Sequence, residues 1–91
     1  MIRPQERMEV RSSKMSMDMQ RMAMDTAQRA LEEDAEPRAV ASSIKRKFDQ
    51  LYDPHWQCIV GNHFASYVTH EENKFIYFNQ GKIAILLWKT A

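Results

Sequence analysis

Apolar positions recur along this chain with two different periods, and the change of period falls at Asp53-Pro54. Upstream the spacing is three and four. Met19, Met22, Ala23, Thr26, Ala27, Ala30 and Leu31 form one stripe, which predicts an α-helix over residues 17–33. The Ser16 hydroxyl and the early Asp18 suit the unpaired N–H groups of that helix start. Asp18, Arg21, Asp25, Gln28, Arg29 and Glu32 fill much of its other side. A second stripe, Val40, Ala41, Ile44, Phe48, Leu51 and Tyr52, predicts a helix that opens at Pro37. It stops at Asp53-Pro54, because the residue before a proline is pushed out of the α region.

Downstream the pattern is that of strands. Trp56, Cys58 and Val60 alternate with Gln57 and Ile59, which predicts a strand over 56–60 and a turn at Gly61-Asn62-His63. Further strands are predicted over 64–69, 75–78 and 82–89, separated by Glu71-Glu72-Asn73 and by Asn79-Gln80-Gly81. Ile83 to Trp88 is apolar at every position, as in a strand covered on both faces. Met8 to Arg11 also alternates and predicts a short edge strand. The order is β-α-α-β-β-β-β: an α+β fold with two helices packed on an antiparallel sheet. Residues 1–7 read as a flexible tail, and 8–91 as a single domain without internal repeats.

A chain of 91 residues has a marginal core when alone. Its one cysteine excludes an internal disulfide, so self-association is the expected source of further stability. A formal net charge of +1 gives no case for nucleic acid or an acidic membrane surface. The stretch Met1 to Glu9 has no apolar core, so no secretory signal is expected there, and no run is long enough to span a bilayer. A reduced intracellular compartment is the default expectation.

The candidate chemistry is thin. His55, Cys58, His63 and His70 invite a metal-site or thiol-enzyme reading, but no Cys-x-x-Cys or His-x-x-x-His pair exists. Cys58 shares a strand face with Trp56 and Val60, as a buried, inert thiol would. No nucleophile–base–orienter set is visible, Glu71-Glu72 reads as a solvated turn, and Gly61 and Gly81 make no phosphate loop. No enzyme, no metal and no cofactor is therefore expected. Met17 and Met24 lie off the first helix's stripe and are candidates for a secondary contact. Lys45-Arg46-Lys47 reads as a solvated helix face.

One run of residues carries a resemblance. It begins at Phe48-Asp49 and passes through Tyr52, Pro54, Trp56, Cys58-Ile59-Val60-Gly61 and Phe64. It continues through Ser66-Tyr67-Val68-Thr69-His70-Glu71, Phe75-Ile76-Tyr77-Phe78, Gly81 and Ala84-Ile85-Leu86-Leu87. As a set these residues, about half the chain without gaps, resemble the eight-kilodalton dynein light chain family. Met15, Met19-Gln20, Ala27, Ala30-Leu31-Glu32 and Lys45 fit more loosely.

The resemblance implies a strand-swapped dimer, in which each protomer lends the strand at Phe64–His70 to its partner's sheet. It implies dimer contacts at Lys45, Gln57, Phe64, Ser66, Tyr67, Thr69 and Thr90. It also implies a groove between that strand and the second helix, formed by Arg38, Phe64, Ala65, Ser66, Tyr67, Val68, Thr69, His70, Phe75 and Tyr77. A partner segment would add there as a strand, with a glutamine, often in Thr-Gln-Thr, capping the second helix. The implied partners are dynein intermediate chains or other linear-motif proteins, bound in pairs by a homodimer or by a heterodimer with a sister light chain. The implied location is the cytoplasm and cytoskeleton, or the cilium axoneme. A general peptide-binding hub outside the motor is the alternative, with a Cys/His metal or thiol enzyme as the remote one.

Several positions depart from the family pattern. Pro37 stands where glutamate is common, Ala65 replaces a groove glycine, Asn62-His63 replaces Arg-Asn, and Asn79 replaces a groove tyrosine. These departures suggest a divergent member dedicated to one partner, such as an intermediate chain of axonemal dynein. Gln57 stands where the family has a dimer-interface histidine, so acid-driven monomerisation should be weakened. Thr90 stands where the family has a regulatory serine, and a phosphate there would disfavour pairing.

Overall fold

The computed structural model describes residues 8–34, 36–62 and 74–90. Six elements follow one another: β1 (Met8–Lys14), α1 (Met17–Glu33), α2 (Pro37–Tyr52), β2 (Trp56–Asn62), β3 (Phe75–Gln80) and β4 (Ile83–Lys89). Both helices have the bounds that their apolar stripes predict. The strand expected over 64–69 lies outside the described residues.

β1, β2 and β3 are longer than alternation alone suggests, whereas β4 starts at Ile83, one residue later than expected. β1 runs on through the polar Ser12-Ser13-Lys14, because backbone pairing to β3 carries it past a bulge between Val10 and Ser12. Gly61 and Asn62, expected in a turn, pair with Ala84 and Ile83. Asn79 and Gln80, also expected in a turn, pair with the same two residues from the other side. The hairpin turn is the pair Gly81-Lys82. Gly81 sits at φ 58°, which a two-residue hairpin requires at its first central position.

The sheet order is β1-β3-β4-β2, with every neighbouring pair antiparallel. The helices lie together on one face, α2 over β2 and α1 beside α2. The core forms where their stripes meet the inward positions of the sheet. α1 contributes Ala23, Ala27 and Ala30, small side chains that let it sit close to its neighbours. α2 contributes Val40, Ile44 and Phe48. The strands contribute Trp56, Ile76, Phe78, Ile85 and Leu87. Phe48 meets Trp56 edge to face, with ring centroids 4.8 Å apart, and Tyr52 at 5.0 Å. Leu51 departs from the predicted stripe and is 45% exposed. Its neighbour Tyr52, one helical turn beyond Phe48, takes the inward place beside Trp56.

Candidate functional site

The start of α2 is partly capped by its own chain. Glu36 is the N-cap, and its Oε1 accepts the Arg38 N–H at 3.1 Å. Pro37 occupies the first helical position and brings no N–H. The Glu36 N–H in turn donates to Asp34 Oδ1 at 2.9 Å, and the Val40 N–H to the Glu36 carbonyl at 3.1 Å. The Arg38 N–H, one of the groups that the expected partner glutamine would need, is therefore already engaged by Glu36. Acids upstream of Pro37 are legible in the sequence; which of them caps the helix is not.

The sheet face away from the helices forms the second half of the picture. Side chains alternate along a strand, so Ile76 and Phe78 in the core put Phe75 and Tyr77 on the opposite face. Register places Phe75 and Gln57 on either side of Trp88, and Tyr77 and Ile59 on either side of Leu86. Gln57, Phe75, Tyr77 and Trp88 are half-buried, and Ile59 is 40% exposed. No described helix covers this face. The central strand β4 is buried on both sides from Ala84 to Leu87, as its unbroken apolar run predicts.

Of the residues expected in the groove, Phe64, Ala65, Ser66, Tyr67, Val68, Thr69 and His70 lie outside the described residues. Arg38 stands in the helix layer, while Phe75 and Tyr77 stand on the far face of the sheet. Among the described residues, then, a single protomer does not bring these three together. Of the expected dimer contacts, Lys45 is engaged with Asp49 in the next turn of α2. Thr90 is tied to the α2–β2 connection, with its N–H donating to the His55 carbonyl at 2.9 Å and its hydroxyl to the same oxygen at 3.3 Å.

Asp49 clips the end of α2 to the start of β2. Its Oδ2 accepts from Lys45 Nζ, and its Oδ1 accepts the Trp56 N–H at 2.8 Å. Burial works to raise its pKa. The hydrogen bonds from Lys45 and Trp56, with the charges of Lys45 and His55, outweigh that and hold the carboxyl below its ordinary 3.8. Cys58, expected to be buried, is partly buried against the core, and that burial pushes its thiol up to about 12. Among the described residues no three His, Cys, Asp or Glu side chains converge as a metal site would need. No described helix is long and apolar enough to cross a membrane.

Residues 7–90 match the family model described as dynein light chain type 1. The chain belongs to that family. Solved structures resemble this dynein light chain over almost their whole length. The dynein light chain-like domain of the calcium binding protein FhCaBP2 from Fasciola hepatica superposes with a TM-score of 0.87 at 24% identity, covering 97% of this chain and 95% of that one. The dynein light chain-like domain of CsTAL3 does so with a TM-score of 0.75 at 17% identity, covering 98% and 96%. At these identities the two domains speak to the fold alone. The family is one of noncatalytic adaptors that dimerise, bind dynein intermediate chains and associate with the cytoskeleton.

Proposed function

We propose that this dynein light chain is a noncatalytic, dimeric adaptor that holds two extended partner segments side by side, each added as a strand. The observation that carries the reading is the partly exposed apolar rim around Leu86 on the sheet's outer face, where Ile59 is 40% exposed and Phe75, Tyr77 and Trp88 are half-buried with no described helix over them. A second protomer, packed there and exchanging the strand at Phe64–His70, would bury it. The groove between that strand and α2 would then be completed only in the dimer, with Arg38 from one protomer facing the exchanged strand of its partner. That is consistent with the separation of Arg38 from Phe75 and Tyr77 within one protomer. Backbone hydrogen bonds give strand addition its general attraction, and two grooves on one dimer give it avidity.

Partner choice turns on the start of α2. A glutamine amide oxygen needs free N–H groups there, but Glu36 holds the Arg38 N–H and Pro37 has none. Partners of this chain are therefore expected to depend less on the glutamine anchor than is usual in the family. That fits a light chain dedicated to one partner, such as an intermediate chain of axonemal dynein, in the cilium.

Calorimetric titration with a Thr-Gln-Thr peptide tests this reading on the native chain and on Glu36→Ala. The variant frees one N–H, so it should bind the peptide more tightly, by roughly the tenfold that a hydrogen bond of about 1.4 kcal/mol provides. Equal or weaker binding by Glu36→Ala would remove the self-cap from the account of specificity.

A further inference from the structure

We propose that the outer groove between α1 and α2 docks an amphipathic helix of a partner protein, apolar along one ridge and acidic beside it. The groove is lined by residues of α1 and α2 alone, opens to solvent and has a volume of about 930 Å³. It is separate from the strand-addition site, and the proposal does not depend on that reading.

Its floor carries small and apolar side chains at the spacing of a helix. Met22, Thr26 and Ala30 follow one another at four-residue intervals along α1, and Leu51 closes the floor from α2. Leu51 is the exposed exception in a stripe that otherwise buries Val40, Ile44 and Phe48. An exposed leucine costs the protomer apolar contact that a guest side chain would restore. From Met22 to Ala30 the floor runs about 12 Å at 1.5 Å per residue, enough for roughly two turns of a guest helix.

The walls differ in charge. On α1, Asp25 is paired with Arg29 at 3.7 Å. On α2, Arg46 and Lys47 are exposed, and neither joins an ion pair among the described residues. Arg46 donates instead to the Ser42 hydroxyl, at 3.3 Å from Nε and 3.0 Å from Nη2. Asp49, also at the groove, is already held by Lys45. The uncompensated charge on the α2 wall is thus positive, and carboxylates on that side of a guest would meet it. Glu33 stands at the far end of the α1 wall, so the acidic side of the guest faces α2.

The shape of the guest follows from the walls. Both are helices, whose mid-segment backbone groups are paired internally, so this surface has no strand edge to extend. An extended segment would leave its own N–H and C=O groups unpaired here. A helix arrives with them satisfied.

The test uses a labelled peptide of about fourteen residues, with leucines at helical spacing (i, i+3, i+4, i+7) flanked by glutamate, and a twin carrying lysine for glutamate. Each is titrated into the isotope-labelled full chain and followed by amide chemical shifts. The glutamate peptide should shift the segments Met22–Ala30 and Ser43–Leu51 saturably. The double variant Arg46→Glu, Lys47→Glu should weaken it by roughly tenfold or more and improve the lysine twin. Both substitutions lie on exposed positions, and the variant's unperturbed strand amides would verify its fold. No saturable shift, equal binding of the two peptides, shifts confined to the strands, or self-association through the helices would overturn the proposal.

Discussion

Asp49 shows how much one partly exposed carboxylate can do at a joint. It receives the backbone N–H of Trp56, a residue with no exposure, and the ammonium of Lys45. Asp49→Ala leaves the Trp56 N–H buried and unpaired, which should cost about 1–3 kcal/mol in urea unfolding. The carboxyl pKa is lower in the folded chain than its ordinary 3.8, so its stabilising contribution is present above that pH. It is lost as pH falls through the folded value. The stability gap between the native chain and Asp49→Asn should therefore be full at neutral pH and shrink below about pH 4, as equilibrium unfolding across pH would reveal. A gap that widened on acidification would reverse the sign of the argument. At Cys58 the raised pKa keeps the thiol protonated at pH 8. Thiol titration of the native chain should be slow and should speed up on unfolding. Rapid native reactivity would reopen the thiol-enzyme reading.

At the level of elements, the helices were legible because each carries its period, its start and its stop within one stretch of sequence. Ser16 accepts the Met19 N–H at 3.1 Å, and Asp53, at φ 67°, ends α2 beside Pro54. The strand ends were less legible because their pairing partners are remote in sequence. Ser12-Ser13-Lys14 has no apolar alternation, and only the pairing with Phe75–Tyr77 makes it part of β1. Gly61 and Asn62 look like turn residues, yet both sit in register with β4. The cap at Glu36 was hidden for a similar reason, since Asp34 and Glu36 both precede Pro37 and only geometry assigns the Arg38 N–H to Glu36. The Phe48–Trp56 contact joins α2 to β2 at the centre of the core. Phe48→Ala should cost about 3–5 kcal/mol, by the cavity it leaves and the edge-to-face contact it removes. A loss well under ~1 kcal/mol in chemical denaturation would mean that the helix–sheet interface collapses easily around the void.

On the scale of the whole molecule, a chain this small has a marginal core when alone, and the proposed dimer would pack on the sheet face away from the helices. Gln57 lies on that surface, opposite Trp88, and does not titrate. If the dimer forms there, lowering the pH to about 5 should leave it intact, because no histidine at this position gains a charge against the partner. Complete dissociation at that pH, seen by light scattering, would point to another titrating group at the interface. The proposed function requires that two protomers together hold two extended segments. Sedimentation equilibrium of the full chain at neutral pH, alone and with a saturating dynein intermediate chain peptide, tests it most directly. A dimeric adaptor should give twice the 10.8 kDa of one chain, rising by two peptide masses when saturated. A single-chain mass, or a dimer that takes up no peptide, would contradict it.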